Sequence, residues 1–259
     1  MSTSQTPDTP SLKSVLVTGA GRRIGRAIAL DLASAGWTVA VHYNHSGDEA
    51  AMVAKEITDA GGTAATVPAD LETEAGAAGL IGQAVDKIGP LGCLVNNASV
   101  FEKDSPETAT KESWERHMQV NLRAPFQLTQ VFAKQLPGDA SGNVINLIDQ
   151  RVWNVTPHFT SYTVSKVALW GLTQTLALAL APNIRVNAIG PGPTLPSIHQ
   201  TQQQFERQWS GLPLSRPVMP DEICRAVRFL LDAPSMTGQM IVLDGGEHLG
   251  WASAAPAEE

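Results

Sequence analysis

Short runs of β-branched residues alternate with amphipathic helical stretches along nearly the whole chain, and this alternation narrows the possible folds more than any other feature. The pattern opens with Ser14 to Thr18 (SVLVT), passes through a glycine-rich turn, and continues as RAIALDLASAG, whose apolar residues recur at helical spacing until Gly36. Further strands are predicted at TVAVHYN, TAATVPAD, LGCLVNNAS, GNVINLI, IRVNAI and QMIVLDGG. Helices are predicted between them: residues 47–60, EAGAAGLIGQAV, Lys111 to Gln135, the stretch carrying Tyr162 and Lys166, and DEICRAVRFLL. Strands separated by helices cannot pair as hairpins. They imply one α/β domain, a doubly wound parallel sheet with helices on both faces.

The segment EAGAAGLIGQAV carries three glycines, so its helix must lean on tertiary packing. Asn121 falls inside the long predicted helix, where it suggests either a bend or an exposed face. Pro191-Gly192-Pro193 breaks the chain into a loop reaching Gln200, placed to cover a ligand. The ends differ in composition. Residues 1–11 and 248–259 are rich in Pro, Ser, Thr, Ala and charge without periodicity and read as tails around a domain at 12–247.

A formal charge of −7 argues against nucleic-acid and anionic-membrane partners, which call for basic patches, and leaves small molecules as the expected partners. There is no signal-peptide pattern and no long apolar run. Two widely separated cysteines, Cys93 and Cys224, fit a reducing compartment, so a cytoplasmic protein is expected. His42 and His45 lie close together but lack a cysteine or acidic partner, and no metal site is expected.

The chemistry concentrates in two places. After the first strand, Gly19, Arg22, Arg23, Ile24 and Gly25 form a strand, turn and helix that aim free N–H groups and the positive end of a helix dipole at a pyrophosphate. At the end of the second strand, Tyr43, Asn44, His45 and Ser46 replace the acid expected beside a free ribose 2′-hydroxyl. NADP(H) is therefore the expected cofactor, with Arg22 and Arg23 as phosphate partners. Asp70 and Leu71, and the tip Asn97, Ala98 and Ser99, fall at carboxyl ends of later strands, where ligands of such sheets gather. The second place is Asp149 to Lys166. Tyr162 and Lys166 stand four apart on one helix face, and a nearby ammonium favours the phenolate and lowers the proton affinity of the phenol.

Together TGAGRRIG, Asp70-Leu71, NNAS, Asn121, Tyr162-x-x-x-Lys166, PGP and LDGG resemble the short-chain dehydrogenase/reductase family over about residues 12–247, in the family's order and spacing. The resemblance implies a Rossmann-type domain with Tyr162 as proton donor or acceptor. It implies that Lys166 holds the nicotinamide ribose and lowers the tyrosine's pKa, and that Asn121 keeps a water linking the lysine to solvent. It places Pro191 and Gly192 at the cofactor and implies a homotetramer.

One position departs from the family pattern: Asp149 occupies the place of the usual serine thirteen residues before the tyrosine. That substitution resembles the pteridine reductase branch. In the same branch an arginine at the position of Arg23 faces both cofactor phosphate and the pterin oxo group, and a phenylalanine at the position of Phe101 sandwiches the pterin against nicotinamide. The substrate residues so implied are Arg23, Ser99, Phe101, Asp149 and Tyr162, with burial expected to favour a protonated Asp149. NADPH-dependent reduction of a pteridine or related C=N heterocycle is the leading expectation. A carbonyl reductase acting on a ketone, sugar or 3-oxoacyl thioester is the alternative, and a non-catalytic NADP-binding sensor the third.

Overall fold

The computed structural model describes residues 12–250; the predicted tail at 1–11 and the end of the second tail lie outside the described residues. The strands are β1 (Ser14–Val17), β2 (Thr38–Tyr43), β3 (Ala64–Pro68), β4 (Cys93–Asn96), β5 (Gly142–Leu147), β6 (Ile184–Pro191) and β7 (Met240–Leu243). They form one sheet in the order β3-β2-β1-β4-β5-β6-β7, and every pairing is parallel. The order reverses between β1 and β4. That reversal opens a crevice at the carboxyl ends of the strands.

The helices are α1 (Arg23–Ser34), α2 (Gly47–Asp59), α3 (Glu74–Ile88), α4 (Lys111–Met118), α5 (Ala124–Gln135), α6 (Thr160–Leu180), α7 (Gln202–Ser210) and α8 (Pro220–Asp232). Strand side chains alternate between two cores. Val15, Val17, Val39 and Val41 pack with Ile28, Leu32, Val53 and Val227 on one face, whereas Leu16, Leu94 and Val144 pack with Leu80, Leu128 and Phe132 on the other. The weak helix α3 illustrates the balance: three interior glycines cost about 1 kcal/mol each, while burying Leu80 and Ile81 returns about 1.5–3 kcal/mol each. Thr73 caps it by accepting from Gly76 N at 3.1 Å.

Two elements differ from expectation. The long helix at 111–135 is divided by a π-helical turn at Gln119–Arg123, with Asn121 fully buried inside it. Such turns accommodate a side chain that finds partners outside its own helix. Beyond the Pro191 break, α7 was not foreseen; its amphipathic pattern is short, with Phe205 its buried residue and Thr201 its cap. Residues 247–249 form a 3₁₀ turn anchored by His248, which contacts Asp244 Oδ2 at 2.7 Å. Among the described residues, no helix is long and apolar enough to cross a membrane.

Candidate active site

At the end of β1 the chain turns sharply because Gly19 adopts φ +63°. A methyl group on Gly25 would stand 2.3 Å from Gly19 O and 2.5 Å from Asn97 Nδ2, so only glycine fits where α1 begins. Thr18 Oγ1 accepts from Asn97 N and Ala98 N, each at 2.9 Å, and Asn97 Nδ2 donates to Thr18 O at 2.8 Å. These bonds lock the NNAS tip against the glycine turn.

His42, buried on β2, completes the lock: its Nδ1 accepts from Gly19 N at 2.9 Å, and its Nε2 faces Ala69 O at 3.1 Å. Burial pushes its pKa down to about 4, the backbone bond to Ala69 opposing, and the neutral ring suits one accepting and one donating nitrogen. Nothing in the sequence around His42 marks it for this part.

A cavity of about 590 Å³ runs over this turn. It brings together Gly19, Arg22 to Gly25, Tyr43 to Ser46, Asp70, Leu71, and Asn97 to Ser99. Asp70 Oδ1 accepts from Asn44 Nδ2 at 3.1 Å. Arg22 and His45 are exposed, and Arg22 lies 3.8 Å from Glu49. Arg23 lines this cavity and also reaches across it. It has φ +55°, and its guanidinium donates to Pro196 O at 2.7 Å and Leu195 O at 3.2 Å, fastening the connection between β6 and α7 over the turn. His199 Nε2, 3.2 Å from Phe101 O, ties the same connection to the opposite bank.

The adjoining cavity, about 880 Å³, gathers Ser99, Phe101, Asp149, Tyr162, Lys166, Pro191 and Gly192 together with Arg23. Tyr162 and Lys166 are buried on α6. The Tyr162 hydroxyl donates to Asp149 Oδ2 at 3.0 Å, so residue 149 turns inward rather than toward bulk water. Lys166 Nζ donates to Leu147 O at 2.9 Å and stands 5.7 Å from the Tyr162 ring centroid. Burial brings the Lys166 pKa down to about 8, with the Asp149 charge opposing.

The expected lowering of the phenol does not hold in this arrangement. Burial first, and then the negative charge of Asp149, raise the Tyr162 pKa well above the ordinary 10, with Arg151 opposing. The phenol is thus held as a donor. Asp149 accepts with both oxygens, Oδ2 from the Tyr162 hydroxyl and Oδ1 from Arg151 N at 2.9 Å.

Asn121 is engaged by protein groups. Its Nδ2 donates to Val100 O at 3.0 Å and Ser165 Oγ at 3.1 Å, and its Oδ1 accepts from Val100 N at 2.8 Å and Ser99 Oγ at 3.1 Å. It therefore joins the π-helical turn, the NNAS tip and α6. Behind Tyr162, Ser161 donates to Asp104 and meets His117 Nδ1 at 2.7 Å, a buried network the sequence did not disclose.

Three aromatic rings wall this cavity. Phe101 stacks on Phe159 with centroids 4.4 Å apart and meets Tyr162 edge-on at 4.7 Å. Arg151, on the 3₁₀ turn Gln150–Val152, lies over all three. Nothing in the sequence marks Phe159 or Arg151 beyond their place in the Asp149 to Lys166 segment.

The sheet order, the glycine turn beneath a crevice and the tyrosine–lysine pair define an α/β oxidoreductase of the nucleotide-binding class. The family model for short chain dehydrogenases matches residues 13–207. The chain belongs to the short-chain dehydrogenase/reductase family. Among solved structures it is similar to FolM alternative dihydrofolate reductase 1 from Brucella suis in complex with NADP, 53% identical, covering 93% of this chain and 97% of that one, with a TM-score of 0.91. An uncharacterized oxidoreductase of Methylorubrum extorquens is 37% identical over 242 residues, 90% of this chain and 97% of its own. The 3-oxoacyl-acyl-carrier-protein reductase FabG of Staphylococcus aureus is 32% identical over 242 residues, 92% of this chain and 98% of its own.

Proposed function

We propose that this protein is an NADPH-dependent reductase of a pteridine or dihydropteridine, or of a related heterocycle with a conjugated C=N bond. The observation that carries the reading is the Tyr162 hydroxyl donating to Asp149 in a cavity walled by Phe101. The FolM likeness supports it.

The residues fit the cofactor. The N-terminus of α1 has no side-chain cap and no acid in its first turn, whereas Thr73, Thr110 and Thr201 cap α3, α4 and α7. An uncapped, uncontested helix end beneath a cavity suits phosphate oxygens. Gly19, Arg22, Ile24 and Gly25 would hold the pyrophosphate, and Tyr43, Asn44, His45 and Ser46 the adenosine end with its 2′-phosphate. Asp70, Leu71, Asn97, Ala98, Ser99, Lys166, Pro191 and Gly192 would line the remainder.

When bound, NADPH supplies the hydride. Tyr162 delivers its Oη proton to the ring nitrogen next to the carbon being reduced. Before transfer Asp149 Oδ2 accepts that hydrogen, so the Oη–H turns from the carboxylate to the ring nitrogen as it is delivered, and Phe101 presents a flat apolar wall to the heterocycle. Lys166, anchored on Leu147 O, holds its positive charge beside the phenol and limits the rise in energy as Tyr162 becomes phenolate.

The test is steady-state oxidation of NADPH with dihydrobiopterin, dihydromonapterin and dihydrofolate, run beside a ketone panel. Turnover of at least one pteridine is expected, with its loss in Asp149→Ser. The FabG likeness favours a second reading, a carbonyl reductase, for which Asp149→Ser preserves or improves ketone reduction. Wild-type enzyme inert toward every pteridine removes the first reading. By the same family likeness we infer a homotetramer, and light scattering of the eluted protein checks it.

A further inference from the structure

Two arginines line the substrate cavity, and their donors are used differently. Arg23 places Nη1 and Nη2 on the carbonyls of Pro196 and Leu195. Among the described residues the Arg151 side chain makes no comparable bond. Its Nε is ion-paired with Asp149 Oδ1 at 3.4 Å, and both Nε and Nη1 are buried without a hydrogen-bond acceptor among those residues. The guanidinium carbon sits 5.3, 5.4 and 5.6 Å from the ring centroids of Tyr162, Phe159 and Phe101, and the side chain is only 15% exposed. Glu247, the other carboxyl that feels this charge, accepts from Gln208 Nε2 at 3.3 Å. Ring faces offset part of the burial of a guanidinium, but N–H groups without an acceptor keep it unfavourable until one arrives.

We propose that Arg151 is a substrate-binding, specificity-determining residue that reads a lactam edge jointly with Asp149. The guanidinium takes the ring oxygen, and the carboxylate takes the neighbouring ring N–H. The proposal rests on the pteridine reading. A guanidinium only donates and a carboxylate only accepts, so side by side they complement an amide edge, which offers one acceptor and one donor. A ring bearing an amino group in place of the oxo oxygen sets donor against donor. Arg151 is held ready for this by the 3₁₀ turn and by three rings, so little side-chain freedom is lost on binding.

The experiment measures dissociation constants of 2-amino-4-oxopteridine and 2,4-diaminopteridine with the NADP-saturated full chain, in wild type, Arg151→Leu, Arg151→Lys and Arg23→Leu. Wild type is expected to prefer the oxo compound. Arg151→Leu should weaken the oxo compound by about ten- to a hundredfold while changing the diamino compound little. Arg151→Lys should fall between, since an ammonium keeps the charge but not the fork. Unchanged NADP affinity in the Arg151 variants confirms an intact fold.

Equal losses for both compounds, or none, overturn the proposal, as does loss of the oxo preference in Arg23→Leu with Arg151→Leu unaffected. Wild type that binds both compounds alike rejects the lactam assignment alone. Wild type that binds neither rejects the pteridine reading, and this proposal with it.

Discussion

The glycine-turn end and the aromatic end of the cleft are built by different means. At the first, backbone atoms do most of the work: Gly19 N, Thr18 O, Asn97 N and Ala98 N are tied together by the side chains of His42, Thr18 and Asn97, within hydrogen-bond reach of their strands. At the second, side chains from separate loops converge: Phe101 after β4, Arg151 after β5 and Phe159 before α6. Backbone geometry is common to many sequences, so the first end specifies a class of ligand. The second end depends on side chains that can change singly, and so selects within that class.

The sharpest way to break this division is Tyr162→Phe. Turnover should fall about a hundred- to ten-thousandfold while NADPH affinity stays within about threefold, read by stopped-flow and by fluorescence titration. A large loss of cofactor affinity would mean that the two ends act as one.

Acid should strike the glycine-turn end through His42. Its folded pKa, about 4, lies below the ordinary 6.5, so on acidification the unfolded chain takes up the proton first. The contribution of the neutral ring is complete above pH 6.5 and is lost as the pH falls toward 4, amounting to roughly 3 kcal/mol. Urea melts across this range should show the decline, and His42→Asn should flatten it. A wild-type curve no steeper than the variant's would remove His42 as the lock.

The smallest effect is expected from His45→Arg. If residue 45 faces the 2′-phosphate as proposed, an added exposed cation there raises the preference for NADPH over NADH about two- to fivefold, read from the ratio of kcat/KM values. No change would place the 2′-phosphate away from residue 45.

The two ends also differed in how much could be read beforehand. Gly19 and Gly25 are legible because strand, turn and helix follow one another in the chain and dictate where N–H groups point. Tyr162 and Lys166 are legible because helical spacing alone puts them on one face. Asp149 stood out as a departure from an otherwise matching pattern. Its neighbour Arg151 did not, because an arginine two residues along a loop has no preferred direction until Phe101 and Phe159 give it surfaces to lie on. The expected effect of Lys166 on Tyr162 failed for a related reason. Spacing reports proximity, whereas burial and the Asp149 charge decide the sign of the pKa shift.

Local chemistry in the sequence determined the parallel sheet, the glycine turn and the tyrosine–lysine face, because these follow from periodicity and conformational preference over a few adjacent residues. Tertiary structure alone decided which arginine is bonded to backbone carbonyls and which keeps buried donors without an acceptor among the described residues, and that the phenol is held as a donor. Both depend on distances between segments that meet only when the sheet closes the cleft, and on the desolvation that closure imposes.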